Sequence, residues 1–277
     1  LNEIAIGFIG LGNQGGPIAH RIVDGGRPLM VWARRPQVLE VYVSKGARAA
    51  ASIAELGTHC DHVGICVVND TDVADVCRQL IPTMRPGSRI AIHSTVLPET
   101  CIALEKQCAE QGIKLIDAPV SGGAAGAQAG TLTVMCGGTQ EVFDACRPVF
   151  ETFGNLIVLA GPTGAGQRAK IINNALLAAN IALAHAALSA GETLGLDRDT
   201  LGALIRGSSG YSFGLEVSAR FATPGAFAQG ARLLVKDVGL LQSILPSHAG
   251  ADALHLAAHP YLTEATQGPA GAQTAKL

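Results

Sequence analysis

The sequence has 277 residues, 48% of them hydrophobic and 15% charged, with 34 glycines and a formal net charge of −2. That length exceeds one ordinary compact core and fits two domains, and the balance is that of a buried α/β core with tight turns, not of a disordered or fibrous chain. With so little charge and no Lys/Arg block, the chain lacks the concentrated positive field that a nucleic acid or an anionic membrane requires, which leaves small molecules as the expected partners.

In chain order, apolar runs at 4–9, 29–33, 62–68, 89–93 and 114–117 alternate with helical segments, the pattern of parallel strands joined by helical crossovers. A strand at 131–136, a helix around 140–153 and a last strand at 156–159 complete the first half, which reads as a doubly wound sheet. At Gly161-Pro162-Thr163-Gly164-Ala165-Gly166 the strand pattern stops, placing a boundary between a domain at 1–161 and one at 162–277. A long helix over 167–194, apolar on most faces, and shorter helices separated by breaks near Gly207, Thr223, Pro246 and Pro260 make the second domain smaller and all-α. The end after Gln267 is expected to fray.

The segment 175–188 is the most apolar, yet Asn180 and His185 interrupt it and it is shorter than a membrane span, so it reads as a buried helix that packs on neighbours, including a second subunit in a dimer or tetramer. The sequence opens strand-like, without a basic segment leading into an apolar core and cleavage site, which points away from secretion and toward the cytoplasm. Seven cysteines, Cys60, Cys66, Cys77, Cys101, Cys108, Cys136 and Cys146, form no C-x-x-C pair and no cluster with histidine. They read as thiols of a reducing compartment, and no metal site is expected.

The first strand runs into Gly10-Leu11-Gly12-Asn13-Gln14-Gly15 and then into a helical segment, which is G-x-G-x-x-G in the setting that gives it meaning. Gly10 permits the tight turn, Gly12 lets the backbone approach a pyrophosphate, and Gly15 allows close helix–strand packing, while the helix N-terminus offers N–H donors. A Rossmann-type dinucleotide site follows. The second strand ends Val31-Trp32-Ala33-Arg34-Arg35-Pro36, without the acid that would bond the ribose hydroxyl of NAD. Guanidinium groups there, Arg34 first, suit the 2′-phosphate of NADP, so NADP is preferred and NAD is the alternative.

Two further motifs carry chemistry. Ser121-Gly122-Gly123 follows a strand end, where glycines expose backbone N–H groups and serine adds a hydroxyl, a receptor suited to a carboxylate. Lys170 and Asn174 lie four residues apart and share a helical face. A partly desolvated lysine beside a cationic nicotinamide would have its ammonium form disfavoured, which suits acid–base work.

With Gly7-Phe8-Ile9-Gly10-Leu11-Gly12, Ser94-Thr95-Val96 with Pro98, Asp117-Ala118-Pro119-Val120-Ser121-Gly122-Gly123, Gly164-Ala165-Gly166 before Lys170 and Asn174, and Lys236-Asp237, the chain resembles the β-hydroxyacid dehydrogenase family along nearly its whole length. The resemblance implies hydride transfer between a nicotinamide and a small 3-hydroxy acid or its semialdehyde. Lys170 would move the hydroxyl proton, Asn174 would orient the substrate, Asn173 would assist, and Ser121, Gly122 and Gly123 would bind it. It also assigns Thr95, Lys236, Val68 and Asn69 to the cofactor side, although Lys236-Asp237 also reads as a structural ion pair. Arg232, one turn before Lys236, is a candidate reader of a substrate anion.

Two departures stand out. His93 occupies a position that is usually acidic in the family, and the loop at Val68-Asn69-Asp70 lacks a Leu-Pro dipeptide. His93 is left out of the mechanism. Rival readings are an imine reductase on the same scaffold, against which Lys170 argues, and a non-catalytic nucleotide-binding module, which would have no use for the Lys170/Asn174 pair. A 6-phosphogluconate dehydrogenase would need a longer helical domain. Specificity is expected from the segments 208–213 and 227–236.

Overall fold

The computed structural model describes residues 5–221 and 223–267, so Ile4 of the expected first strand and the end after Gln267 lie outside the described residues. The strands are β1 (Ile6–Ile9), β2 (Leu29–Trp32), β3 (Arg48–Ala49), β4 (His62–Ile65), β5 (Arg89–Ile92), β6 (Lys114–Asp117), β7 (Val120–Ser121), β8 (Leu132–Gly137) and β9 (Gly154–Gly161). Between them run α1 (Gly15–Asp24), α2 (Glu40–Val43), α3 (Ile53–His59), α4 (Asp70–Leu80), α5 (Pro98–Glu110), α6 (Gly123–Ala129) and α7 (Gln140–Phe150).

The strands form one sheet in the order β3-β2-β1-β4-β5-β6-β8-β7, with β9 paired to β8. Pairing is parallel from β3 through β6 and again between β8 and β9, and antiparallel where β8 meets β6 and β7. The doubly wound sheet expected from the alternating pattern is therefore present, with a mixed far side that the pattern did not contain. β1 and β4 are buried at every position, as strands covered by helices on both faces must be. The order reverses between β1 and β4, and the loops after these two strands lie at that switch point, where open α/β sheets take their ligands.

Several ends differ from the expected ones for local reasons. β4 stops at Ile65, short of residue 68, because the Val67 N–H leaves the ladder and donates to Ser94 Oγ at 2.8 Å. Asn69 already belongs to the next helix: its side chain caps α4 by accepting from the Asp72 N–H at 2.9 Å. The two-residue β3 and β7 are too short to show an alternation, and α6, made of glycine, alanine and one glutamine, has no apolar stripe.

His93 lies in the core. Its Nδ1 is 2.8 Å from the Ala118 carbonyl oxygen, its ring stacks on Phe8 and meets Phe150 and Phe153 edge-on, and burial holds its pKa down at about 4. His62, on the neighbouring strand, is equally buried and pushed down to about 3, first by desolvation and then by the charges of His93 and Arg89. All seven cysteines are free thiols; burial pushes Cys60, Cys66, Cys77, Cys108 and Cys146 up to about 12, and Cys101 and Cys136 well above the ordinary thiol value.

The chain divides into two compact units, the first ending at Lys170 and the second starting at Ile171. The division between these units falls inside α8 (Ala165–Thr193), whose opening turn is fastened to the end of β6 and to the loop after β5 in the first unit. The second unit holds the rest of α8 with α9 (Arg198–Arg206), α10 (Phe213–Arg220), α11 (Ala228–Ile244) and α12 (Ala249–Gln267). Its core joins Ile171, Ala175, Ala178 and Ile181 of α8 to Leu234, Val238 and Leu241 of α11 and to Tyr261 and Leu262 of α12. These α8 positions, spaced four, three and three, form one buried stripe, while Ile172, Leu176 and Leu183 are exposed on the other side. By length and a mean hydropathy of 1.5 the helix matches a membrane span, but its buried stripe is part of this core.

Candidate active site

The cofactor loop leaves β1 through Gly10, whose φ of 97° is a left-handed conformation that favours glycine. A Cβ there would strike the Cys66 carbonyl, and one on Gly15 would strike the Gly10 carbonyl, so both glycines are required by the chain's own packing. Gly12 differs. Nothing lies within 4 Å of where its Cβ would be, so the fold itself would accept a side chain. Leu11 and Gln14 are half-buried and Asn13 is exposed, and the buried Gln14 Nε2 has no hydrogen-bond partner. An open approach at Gly12, an unpartnered amide at Gln14 and the start of α1 fit a pyrophosphate.

Arg34 follows β2 with its side chain 72% exposed, and a guanidinium nitrogen lies 3.5 Å from Asp72. Val68 is exposed, and Asn69 engages its side chain in the α4 cap. Thr95 is half-buried between Ser94 and Val96, both buried. Asp70 braces the two loops, its Oδ1 accepting from the Leu97 N–H at 2.9 Å and from Thr100 Oγ1 at 2.6 Å. The Gly10–Gly15 segment, Val68 and Thr95 thus sit on consecutive loops at the C-terminal ends of β1, β4 and β5.

Beyond β6, Ser121 ends β7, and Gly122 and Gly123 take φ values of 127° and 64° at the start of α6, with both glycines exposed. Asp117, four residues before Ser121 and fully buried, turns to α8. Its Oδ1 accepts from the Gly164 N–H at 2.6 Å and its Oδ2 from the Gln167 N–H at 2.8 Å, so one carboxylate caps the helix. Desolvation raises its pKa to about 6, against the lowering effect of these N–H donors.

That helix carries Lys170 and Asn174 one turn apart, each 8% exposed. Asn174 is tied at both ends of its amide: Nδ2 donates to Asp237 Oδ2 at 2.6 Å, and Oδ1 accepts from Asn173 Nδ2 at 3.1 Å. Asp237, on α11 and 4% exposed, also forms an ion pair with Lys236 at 2.9 Å. Of Lys236-Asp237 the sequence suggests a cofactor residue or an ion pair, but not the tie of Asp237 to Asn174. A signal existed: Leu234, Asp237, Val238 and Leu241 follow helical spacing, so an acid stood on an otherwise apolar face. Arg232 is exposed on the same helix. Among the described residues, no group of three or more metal-ligating side chains occurs.

Two sequence families match the chain: the "NAD binding domain of 6-phosphogluconate dehydrogenase" over residues 5–161, and the "NAD-binding of NADP-dependent 3-hydroxyisobutyrate dehydrogenase" over residues 164–276. The NAD-dependent L-serine dehydrogenase of Pseudomonas aeruginosa is 35% identical over 259 residues, covering 88% of this chain and 86% of that one. Among solved structures, a Mycobacterium tuberculosis 3-hydroxyisobutyrate dehydrogenase with L-serine superposes with a TM-score of 0.84 at 27% identity, over 96% of this chain and 94% of that one. An imine reductase from Pseudomonas sp. shares 17% identity at a TM-score of 0.58 over 95% of this chain and 93% of its own, a likeness of fold alone. With family models covering residues 5–161 and 164–276 and a dehydrogenase 35% identical over most of both chains, the chain belongs to the β-hydroxyacid dehydrogenase family.

Proposed function

We propose that the protein is an NADP-preferring dehydrogenase of short 3-hydroxy acids and their semialdehydes, with Lys170 as the proton-transfer residue. The observation that carries this reading is the buried pair on α8: a lysine and, one turn later, an asparagine whose amide is held by Asp237. A buried lysine and a fixed amide on one helical face suit a hydroxyl or carbonyl oxygen that must exchange a proton while being held.

The nicotinamide, when bound, supplies the hydride chemistry at the carbinol carbon. Lys170 takes the hydroxyl proton during oxidation and returns it during reduction. Asn174 orients the substrate oxygen through the amide hydrogen not given to Asp237. Ser121, Gly122 and Gly123 bind the substrate carboxylate, an assignment supported by two exposed glycines with positive φ at the head of α6. Gly10, Leu11, Gly12, Asn13, Gln14 and Gly15 would hold the pyrophosphate, with Val68, Asn69, Thr95 and Lys236 on the cofactor side, Asn69 through its backbone because its side chain caps α4. Preference for NADP rests on the exposed Arg34, which matches a 2′-phosphate.

The reading extends to a homo-oligomer, supported by the exposed stripe Ile172, Leu176 and Leu183, and to a reducing, cytoplasmic setting, supported by seven free thiols. The test is reduction of a panel of short semialdehydes with NADPH and NADH, comparing the native protein with Lys170→Ala while cofactor binding is followed by fluorescence. Turnover of an acid-bearing carbonyl, faster with NADPH, together with a fall of about 100-fold or more in Lys170→Ala at unchanged cofactor affinity, is the expected result. Equal activity in the variant would remove Lys170 from the mechanism.

A further inference from the structure

Gln167 is fully buried on the first turn of α8, three residues before Lys170. Its side-chain amide is used twice on one loop: Oε1 accepts from the Val96 N–H at 3.1 Å, and Nε2 donates to the Ser94 carbonyl at 2.9 Å. The amide thus closes a ring around Thr95, pairing with the backbone on either side of it as a neighbouring strand would. Its orientation is unique, since turning it over would set NH2 against an N–H and a carbonyl against a carbonyl. Its own backbone N–H donates to Asp117 Oδ2, and Ser94 Oγ in turn accepts from the Val67 N–H at 2.8 Å. The end of β6 and the loop after β5 are therefore fastened to the opening turn of α8 at one residue, and the loop after β4 joins them through Ser94.

We propose that Gln167 is a positioning residue that locks the Thr95 loop to the helix carrying Lys170, so that the cofactor-side loop and the proton-transfer lysine are set by one amide. The proposal rests on the functional reading above for the role of Lys170, but not for the clamp on the loop. A helix needing only to be packed at this point would be served by leucine or methionine. A side chain with one donor and one acceptor in fixed places is required only if the backbone of residues 94–96 must be held.

Three measurements on the full chain test it, using Gln167→Met, which keeps the volume and removes both bonds, and Gln167→Glu. In the free protein, hydrogen exchange at the Val96 amide should accelerate by about tenfold or more in Gln167→Met, as expected when a buried bond is lost. NADPH affinity and kcat should each fall by about tenfold, with substrate KM changing less than about threefold. Gln167→Glu should resemble Gln167→Met at about pH 8 and recover at about pH 6, because a protonated carboxyl again offers one donor and one acceptor while a carboxylate has no donor for Ser94. That acid-side recovery in NADPH affinity, taken relative to the native protein, is a signature that mere packing would not give.

If both variants keep native Val96 exchange and bind NADPH within about threefold of the native protein at both pH values, the clamp is overturned, whatever Lys170→Ala does. If Lys170→Ala remains active while the exchange and affinity changes appear, the clamp stands and the reading of Lys170 falls. Should Gln167→Met fail to fold, Gln167→Glu decides at about pH 9, where the carboxyl is ionised: native Val96 exchange and NADPH affinity there overturn the proposal, and their loss sustains it.

Discussion

Gly12 separates what the fold needs from what a ligand needs. Its neighbours Gly10 and Gly15 are fixed by carbonyls that a Cβ would strike, whereas Gly12 faces open space. Gly12→Ala is therefore expected to melt at the native temperature or slightly above, because alanine narrows the unfolded ensemble. It should nevertheless weaken NADPH binding by on the order of tenfold, since a methyl group intrudes where a pyrophosphate approaches the backbone. Differential scanning fluorimetry with and without NADPH checks both parts. A lowered melting temperature in the free protein would mean that Gly12 serves the fold after all. The G-x-G-x-x-G spacing made all three glycines legible in the sequence, but only the packing around them tells their duties apart.

Among the elements, the start of α8 is the most constrained. A Cβ on Gly166 would meet the Met135 carbonyl and lie 2.8 Å from Asp117 Oδ2, and one on Gly137 would lie 2.5 Å from Asp117 Oδ1. Helix, strand and carboxylate approach so closely that no side chain fits between them. Gly166→Ala should cost about 1–3 kcal/mol and lower the melting temperature by several degrees, even though alanine favours helix; an unchanged melt would show that the contact relaxes freely. Strands with buried apolar runs, such as Ile6–Ile9 and the Ile90, Ala91 and Ile92 stretch of β5, were legible from pattern alone. β3, β7 and α6 were not, because two residues carry no period and Gly-Ala sequence carries no stripe. Lys170 and Asn174 could be read from their spacing and family motif. Asp237 could be read only as an acid on an apolar helical face, not as the partner of Asn174 63 residues away, and nothing local announces the partners of Gln167, 71 and 73 residues away.

At the scale of the whole molecule, buried titratable groups set the response to acid. His62 and His93 are held neutral with pKa values of about 3 and 4, so the unfolded chain binds their protons first, and folded stability falls as the pH drops below about 6.5. Asp117 acts the other way: raised to about 6, it binds its proton in the folded state before the unfolded one and offsets one of the two histidines as the pH falls from about 6 to 4. The net of about one proton gives a loss on the order of 1 kcal/mol per pH unit in that window. Denaturant titrations at stepped pH check this. His62→Leu, which also removes two buried ring nitrogens without partners, should flatten the acid limb and raise the stability at neutral pH. An acid limb as steep as the native one would show that His62 is protonated without cost. The placement of the cysteines has a different use. All seven lie at or before Cys146, hence in the first unit, and the second unit has none. The thiolate is the reactive form, so thiols held near a pKa of 12 are almost silent toward a disulfide reagent at pH 8 until the surrounding structure opens. The unmodified chain therefore carries its own chemical clock for the dinucleotide-binding half. The labelling rate times the opening of that half alone, circular dichroism follows the helices of both, and the difference between the two reports which half gives way first.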